Sequence, residues 1–326
     1  MNNVDFNTKQ EYKIFTELPP LSQGYPISAV VIADSISKFG QRITTLELEF
    51  PRYILAEFNT HRAFSRNASS SRAIPTKKLI SNSEDKFVQP VRYGKNKPGM
   101  QADKENLEGD ALKEAMAIWA EMARMTREYC ARLSILGLHK QWASRPLEWM
   151  STIKVVVTAT DFENFFFLRD HPEAQDEIAY LAQAIKVAMN GSKPKTLRDG
   201  QWHLPYVTDD EKTFLTLPQA LQVSAARCAR TSYKTVHGVT STVAEDMALF
   251  ERLVHNLGNN SEPFHASPTE HQATPSVVNG VGLSVDESTK DYTGNFQGWK
   301  QFRKYIERGQ EAGVDLFENW MYAVNY

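Results

Sequence analysis

The chain has 326 residues, enough for one large domain or two ordinary ones around a sizeable buried core. With 41% apolar and 23% charged residues and no apolar run near the length of a membrane span, it reads as a soluble globular protein with no membrane partner. A net charge of −2 excludes wholesale binding to a nucleic-acid backbone, so an anionic ligand has to be caught by local clusters.

Residues 1–26 form a polar arm ending in PPLSQGYP, with no apolar signal-peptide core in MNNVDFNTKQEYK. Residues 27–32 (ISAVVI) predict a short strand, followed by a turn at 38–40. Residues 43–58 (ITTLELEFPRYILAEF) are apolar with partial alternation, which predicts a strand or a strand followed by a helix start. The ribbon 57–75, EFNTHRAFSRNASSSRAIP, reverses the character. It packs three arginines, one histidine, two asparagines and four serines, with almost no bulky apolar residue beyond Phe58 and Phe64. Arginine forks and hydroxyl or amide groups together satisfy phosphate oxygens, so this is the candidate anion site.

Residues 81–110 read as a long Gly- and Pro-punctuated loop, of a length that usually serves function or assembly. From 111 to 138 the pattern turns helical, with Leu112, Met116, Trp119, Met122, Met125, Tyr129, Leu133 and Leu136 recurring at three- and four-residue steps. These positions are expected in the core, and Gly137 is expected to end the helix. HKQWASRPLEWM reads as a polar turn into 152–158 (TIKVVVT), a strand or a buried helix start. Asp161 is placed to cap a helix running through Arg169. A second helix is expected over 173–189, with Ile178, Leu181, Ala182, Ile185 and Met189 inward. Residues 190–218 look like a linker. SAARCARTSY then leads to a helix at 242–257, a loop with SPTEH, a mixed aromatic and basic segment at 294–306, and an amphipathic end at 313–322.

Two cysteines, Cys130 and Cys228, cannot build a disulfide framework, which points to a reducing, cytoplasmic setting. Cys130 falls in an amphipathic helix. Cys228 lies between Arg227 and Arg230, where a thiolate would be favoured, but both are read as structural. The histidines are scattered without HxxxH or CxxC spacing, so no metal site is expected.

The spacing HRxxSxNxxSxR, filled here by His61, Arg62, Ser65, Asn67, Ser70 and Arg72, resembles the signature of the flavin-dependent thymidylate synthases. Three positions depart from it. Thr60 stands where the family has another arginine, Ala68 where it usually has an acidic or amide residue, and Ala73 where it has an aromatic. LRDHPEAQDEI (168–178) resembles a second family landmark, with Asn164 where the family has a flavin-contacting asparagine. HKQWASR (139–145) is similar to an upstream segment, with Arg145 one residue off the usual spacing. ARCARTSY (226–233), the 242–257 helix and SPTEH (267–271) resemble the segment that opens ordinary members, yet here it follows the cationic motif. A circular permutation accounts for that order, with 190–218 as the stitch between the old ends.

The resemblance implies an α+β (mixed α/β) fold, an antiparallel-rich sheet packed with long helices. The expected layout is an arm at 1–26, a catalytic domain at 27–275 whose permuted segment is 219–275, and an extension at 276–326. It also implies reductive methylation of dUMP to dTMP, with methylenetetrahydrofolate as carbon donor and NADPH-reduced FAD as hydride source, in a homotetramer. His61, Arg62, Asn164 and His271 would hold FAD. Glu57, Ser70, Arg72, Arg145 and Arg169 would hold the nucleotide, and no covalent nucleophile is expected. Glu57 replaces a frequent glutamine, which leaves open transfer of another one-carbon unit, such as hydroxymethyl, to a deoxypyrimidine nucleotide. The loss of arginine at Thr60 leaves open a non-catalytic flavin- or nucleotide-binding protein. GNFQGWKQFRK alone would suggest a nucleic-acid binder, which the overall charge disfavours.

Overall fold

A computed structural model describes residues 25–102, 104–198, 200–232, 241–255, 265, 267–276 and 292–311. Most of the arm, the last two residues of the 242–257 helix and the 313–322 stretch lie outside them.

Five strands make the main sheet. They are β1 (Ser28–Ser37), β2 (Arg42–Pro51), β3 (Ser65–Ala68), β4 (Thr152–Ala159) and β5 (Lys195–Leu197), in the order β3-β4-β2-β1-β5. Only the β1–β5 pair is parallel; β1–β2, β2–β4 and β3–β4 are antiparallel. The 43–58 run resolves into β2 followed by a short helix, α1 (Leu55–Asn59), because Pro51 cannot donate to a continuing ladder. TIKVVVT is strand, as its β-branched run favours.

Alternation in β2 and β4 gives the sheet two unlike faces. Leu46, Leu48, Phe50, Ile153, Val155 and Val157 form the dry face, with Phe58 of α1. Against it pack α5 (Glu163–Arg169) through Phe165 and Phe166, and α6 (Asp176–Gly191) through Ile178, Leu181, Ala182, Ile185 and Met189. Asp161 Oδ1 accepts the Glu163 amide at 2.8 Å, the expected helix start. The opposite face carries Thr45, Glu47, Thr158, Ser65 and Asn67. Buried polar groups must find hydrogen-bond partners, and these find theirs in the second half of the chain.

That second half corrects the linker expectation. Within 190–218, β5 joins the sheet, and Trp202, His203 and Leu204 are buried. After them come α7 (Glu211–Phe214), α8 (Leu217–Ala229), α9 (Val243–Phe250), the hairpin strands β6 (Ala273–Pro275) and β7 (Trp299–Gln301), and α10 (Phe302–Glu311). Capping boxes at Thr216/Gln219 and Thr242/Glu245 start α8 and α9. Leu221, Val223, Phe250, Val254, Phe302 and Ile306 form a second apolar core. Hydrophobic burial spread through 190–218 is why it behaves as fold and not as tether.

Helix α2 (Thr76–Asp85) takes the start of the expected long loop. The remainder, 86–108, is held to α6 by a two-pronged Arg92–Asp176 pair and by Glu177 accepting the Val91 amide at 3.0 Å. The long helix α3 (Gly109–Ile135) ends before Gly137, whose φ of 86° suits glycine. Its expected inward stripe is corrected. Met122 is 48% exposed, Tyr129 51% and Leu136 81%, and Met116 and Met125 are exposed too. Of the expected stripe Trp119 does turn inward, its Nε1 donating to the Val88 carbonyl at 3.0 Å, and beside it the buried residues are Ala123 and Cys130. Periodicity fixes which residues share a face, not which face finds a neighbour. HKQWASRPLEWM is also more than a turn: α4 (Lys140–Ala143) and a 3₁₀ segment Arg145–Met150.

Candidate functional site

The cationic ribbon runs from α1 through β3 into the turn before α2, and three separate contacts position it. The first is at its start. His61 is 6% exposed, with Phe165 edge-on to its ring at a centroid distance of 4.9 Å. Arg169 Nε donates to His61 Nε2 at 3.0 Å, so the imidazole is neutral with its proton on Nδ1. Burial, with Arg169 and Arg66 nearby, lowers the His61 pKa to about 4. Arg169 Nη2 also donates to Thr60 Oγ1 at 3.3 Å, and Thr60 Oγ1 in turn donates a hydrogen bond to the Glu57 carbonyl at 2.7 Å. Thr60 thus gives Arg169 a neutral acceptor at the position where the family has an arginine. Arg66 closes the turn by donating to the carbonyls of Asn59 and His61.

The second contact is at the ribbon's end. Ser71 Oγ donates to Glu148 Oε1 at 2.5 Å, and Arg145 Nη1 donates to the same oxygen at 3.0 Å. Arg52 Nη2 reaches the Ser69 carbonyl. Glu148 therefore ties Arg145 to the turn carrying Ser70 and Arg72, despite the shifted spacing. Ser70, Arg72, Arg62 and Asn164 are exposed. Among the described residues no carboxylate pairs with Arg62 or Arg72.

The third contact lies behind β3. Asn67 Nδ2 donates to the Cys228 carbonyl at 2.7 Å, and Ser267 Oγ donates to Asn67 Oδ1 at 3.0 Å. Ser65 Oγ donates to Asn295 Oδ1 at 3.1 Å and accepts from Gln301 Nε2 at 3.1 Å. Ser65 also sits opposite Thr158 in the β3–β4 register, and Thr158 Oγ1 lies 2.9 Å from His271 Nδ1. His271 is fully buried, its pKa is lowered to about 3 by burial and then by His203, and its Nε2 has no hydrogen-bond partner among the described residues.

The structure thus brings His61, Arg169 and Thr60 into contact, and Glu148 joins Arg145 to Ser71, the residue between Ser70 and Arg72 in the chain. His271 sits against the far side of the same β3–β4 ladder, with neighbours distinct from those of Arg72 and Arg169. Glu57 is half-buried, and its Oε2 has no hydrogen-bond partner among the described residues. The arginines of ARCAR are already engaged, Arg227 with Asp246 and Glu211 and Arg230 with Asp246. Burial raises the pKa of both Cys130 and Cys228, which opposes thiolate chemistry at either. Sequence reasoning missed Glu148, Thr45, Thr158 and His203. Ser71 lies 77 residues from Glu148, and Ser35 lies 168 residues from His203, and no local spacing marks such pairs.

A mixed α/β sheet with an HRxxSxNxxSxR ribbon on its edge defines one family. The model described as thymidylate synthase complementing protein matches residues 29–195, and the chain belongs to that family. Among solved structures the chain is similar to a UMP/dUMP methylase of Streptomyces cacaoi bound with 5-Br dUMP, at 16% identity and a TM-score of 0.39, covering 51% of this chain and 90% of that one. It is also similar to a flavin dependent thymidylate synthase of Helicobacter pylori complexed with FAD and dUMP, at 16% identity and a TM-score of 0.32, covering 45% and 67%. No curated protein matches. Among the described residues no helix is long and apolar enough to cross a membrane.

Proposed function

We propose that this chain is a flavin-dependent thymidylate synthase, methylating dUMP to dTMP with methylenetetrahydrofolate as carbon donor and NADPH as reductant. The observation that carries the reading is the ribbon itself. It presents Arg62, Ser70 and Arg72 to solvent with no carboxylate on either guanidinium, beside a neutral His61 held by Arg169. Guanidinium forks with no carboxylate on them among the described residues fit anions, as do hydroxyls, and FAD, dUMP, folate and NADPH are all anions. The buried, partnerless His271 Nε2 is a second fit, since a bound cofactor would satisfy it. In this reading His61, Arg62, Asn164 and His271 hold FAD, and Glu57, Ser70, Arg72, Arg145 and Arg169 hold the nucleotide. When bound, the flavin supplies the hydride.

Glu57 supports the runner-up. A carboxylate oxygen left without a partner there suits a different base edge or a different one-carbon unit, such as hydroxymethyl. The test is the absorbance spectrum of purified protein with and without FAD, followed by mass spectrometry of products from dUMP and dCMP. Flavin absorbance bleached by NADPH and a product 14 mass units above dUMP, as one added methylene requires, are expected. Protein that takes up no flavin would overturn the reading and favour a protein that kept only the fold.

The permuted order is part of the proposal. Support comes from 219–275, whose Cys228, Ser267 and His271 dock directly on β3 and β4. So is assembly into a homotetramer. Ile118, Met122, Met125, Tyr129 and Leu136 follow the 3–4 spacing of a helix-pairing seam along the outer side of α3, which suits a second copy of this chain.

A further inference from the structure

Five side chains, each at least nine-tenths buried, are strung across the polar face of the sheet. Ser35 Oγ lies 2.9 Å from His203 Nδ1, His203 Nε2 lies 2.8 Å from Thr45 Oγ1, Thr45 Oγ1 lies 2.6 Å from Thr158 Oγ1, and Thr158 Oγ1 lies 2.9 Å from His271 Nδ1. The pieces come from β1, β2, β4, the 198–210 segment and the 267–276 segment. The register places Thr45 opposite Thr158, so the middle link is built into the ladder.

Each hydroxyl has one proton, and each neutral imidazole has one N–H and one lone pair. The links therefore cannot be oriented independently. If Ser35 donates to His203 Nδ1, then His203 Nε2–H donates to Thr45, Thr45 to Thr158, and Thr158 to His271 Nδ1, which leaves the His271 proton on Nε2. In the opposite sense His271 Nδ1–H donates, every link reverses, and His203 carries its proton on Nδ1. The two histidines thus share one tautomer. The reversed sense strands two groups, the Ser35 proton and the His271 Nε2 lone pair, because no acceptor for Ser35 Oγ exists among the described residues. The forward sense strands only His271 Nε2–H. A buried polar group without a partner is costly, so the sense with fewer such groups wins.

We propose that Ser35, His203, Thr45, Thr158 and His271 form a single polarised hydrogen-bond chain that fixes His271 as a donor, its Nε2–H held out for an acceptor oxygen or nitrogen of a bound ligand. The preceding reading enters only in naming that ligand as a flavin. Ser35, Thr45, Thr158 and His203 are positioning residues that act through His271. Each link polarises the next, so contact at the open end is felt by His203.

The experiment is two-bond ¹H–¹⁵N correlation spectroscopy of the full-length protein labelled at histidine, with signals assigned by single His→Gln variants. Both His203 and His271 are expected as the neutral Nε2–H tautomer. Opposite tautomers, or Nδ1–H at either residue, would overturn the proposal. Thr158→Val keeps the shape without the hydroxyl. It is expected to leave His203 as Nε2–H and to turn His271 into a mixture of tautomers. An unchanged His271 signal in that variant would show that the chain does not set it. FAD is then the probe, and the His271 Nε2 signal should move on its addition. Matched tautomers with a His271 signal indifferent to FAD would keep the chain and remove the flavin from this residue, so the two readings fail separately.

Discussion

Lowering the pH from 7 to 5 should remove about 4 kcal/mol of folding stability, through His203 and His271 alone. Burial lowers the pKa of each to about 3, with Lys212 also acting on His203 and His203 on His271. The unfolded chain begins to take up these protons near pH 6.5, while the folded chain takes them up only near pH 3. Stability is therefore fully present above pH 6.5 and falls as the pH drops through the window between the two values. At pH 5 each histidine lies about 1.5 units below its unfolded pKa and still above its folded one, which amounts to about 2 kcal/mol apiece. His61, lowered to about 4, acts in the same direction. Carboxylates act later. Glu211, held down to about 2 chiefly by hydrogen bonds from Arg227, loses its contribution only below pH 4.5. Urea unfolding followed by tryptophan fluorescence at pH 7, 6 and 5 reads the effect as a falling midpoint at constant slope. A change below about 1 kcal/mol between pH 7 and 5 would mean that these imidazoles accept protons in the folded state, and the neutral chain would be refuted.

Lys186 and Asp170, both buried, form an ion pair beneath the turn that carries Arg169. Lys186→Met should cost about 3–5 kcal/mol by stranding Asp170, and adding Asp170→Leu should recover most of it, read by urea unfolding at pH 7. Equal losses in the single and double variants would show that packing, not the stranded charge, sets the cost. Replacing Met122 and Met125 together by Glu should lower the oligomeric mass in light scattering and leave circular dichroism unchanged; an unaltered mass would place assembly elsewhere.

Much of this architecture is legible without coordinates. The alternation of Leu46, Leu48 and Phe50 announces β2, and Ile178, Leu181, Ile185 and Met189 announce α6, because burial on one face imposes the period. The ribbon stands out because six polar residues at fixed spacing seldom arise together. Other features leave no local trace. Met122 and Tyr129 have core spacing but lie on the side of α3 away from the chain's own body. Trp202 and His203 hide in a stretch whose Gly, Pro and charged residues read as a tether, and only their burial shows that it is not one. The bonds from Thr45 to His203 and from Thr158 to His271 join residues more than one hundred positions apart, so their meeting is a property of topology.

The two rims of the main sheet are β3, four residues long, and β5, three residues long. A rim strand that short and polar offers a foreign strand almost no template, which is how natural sheets resist stacking into fibres. The proposed tetramer draws on helix α3 and on neither rim, so a lesion in that contact is expected to release single molecules instead of seeding cross-strand deposits.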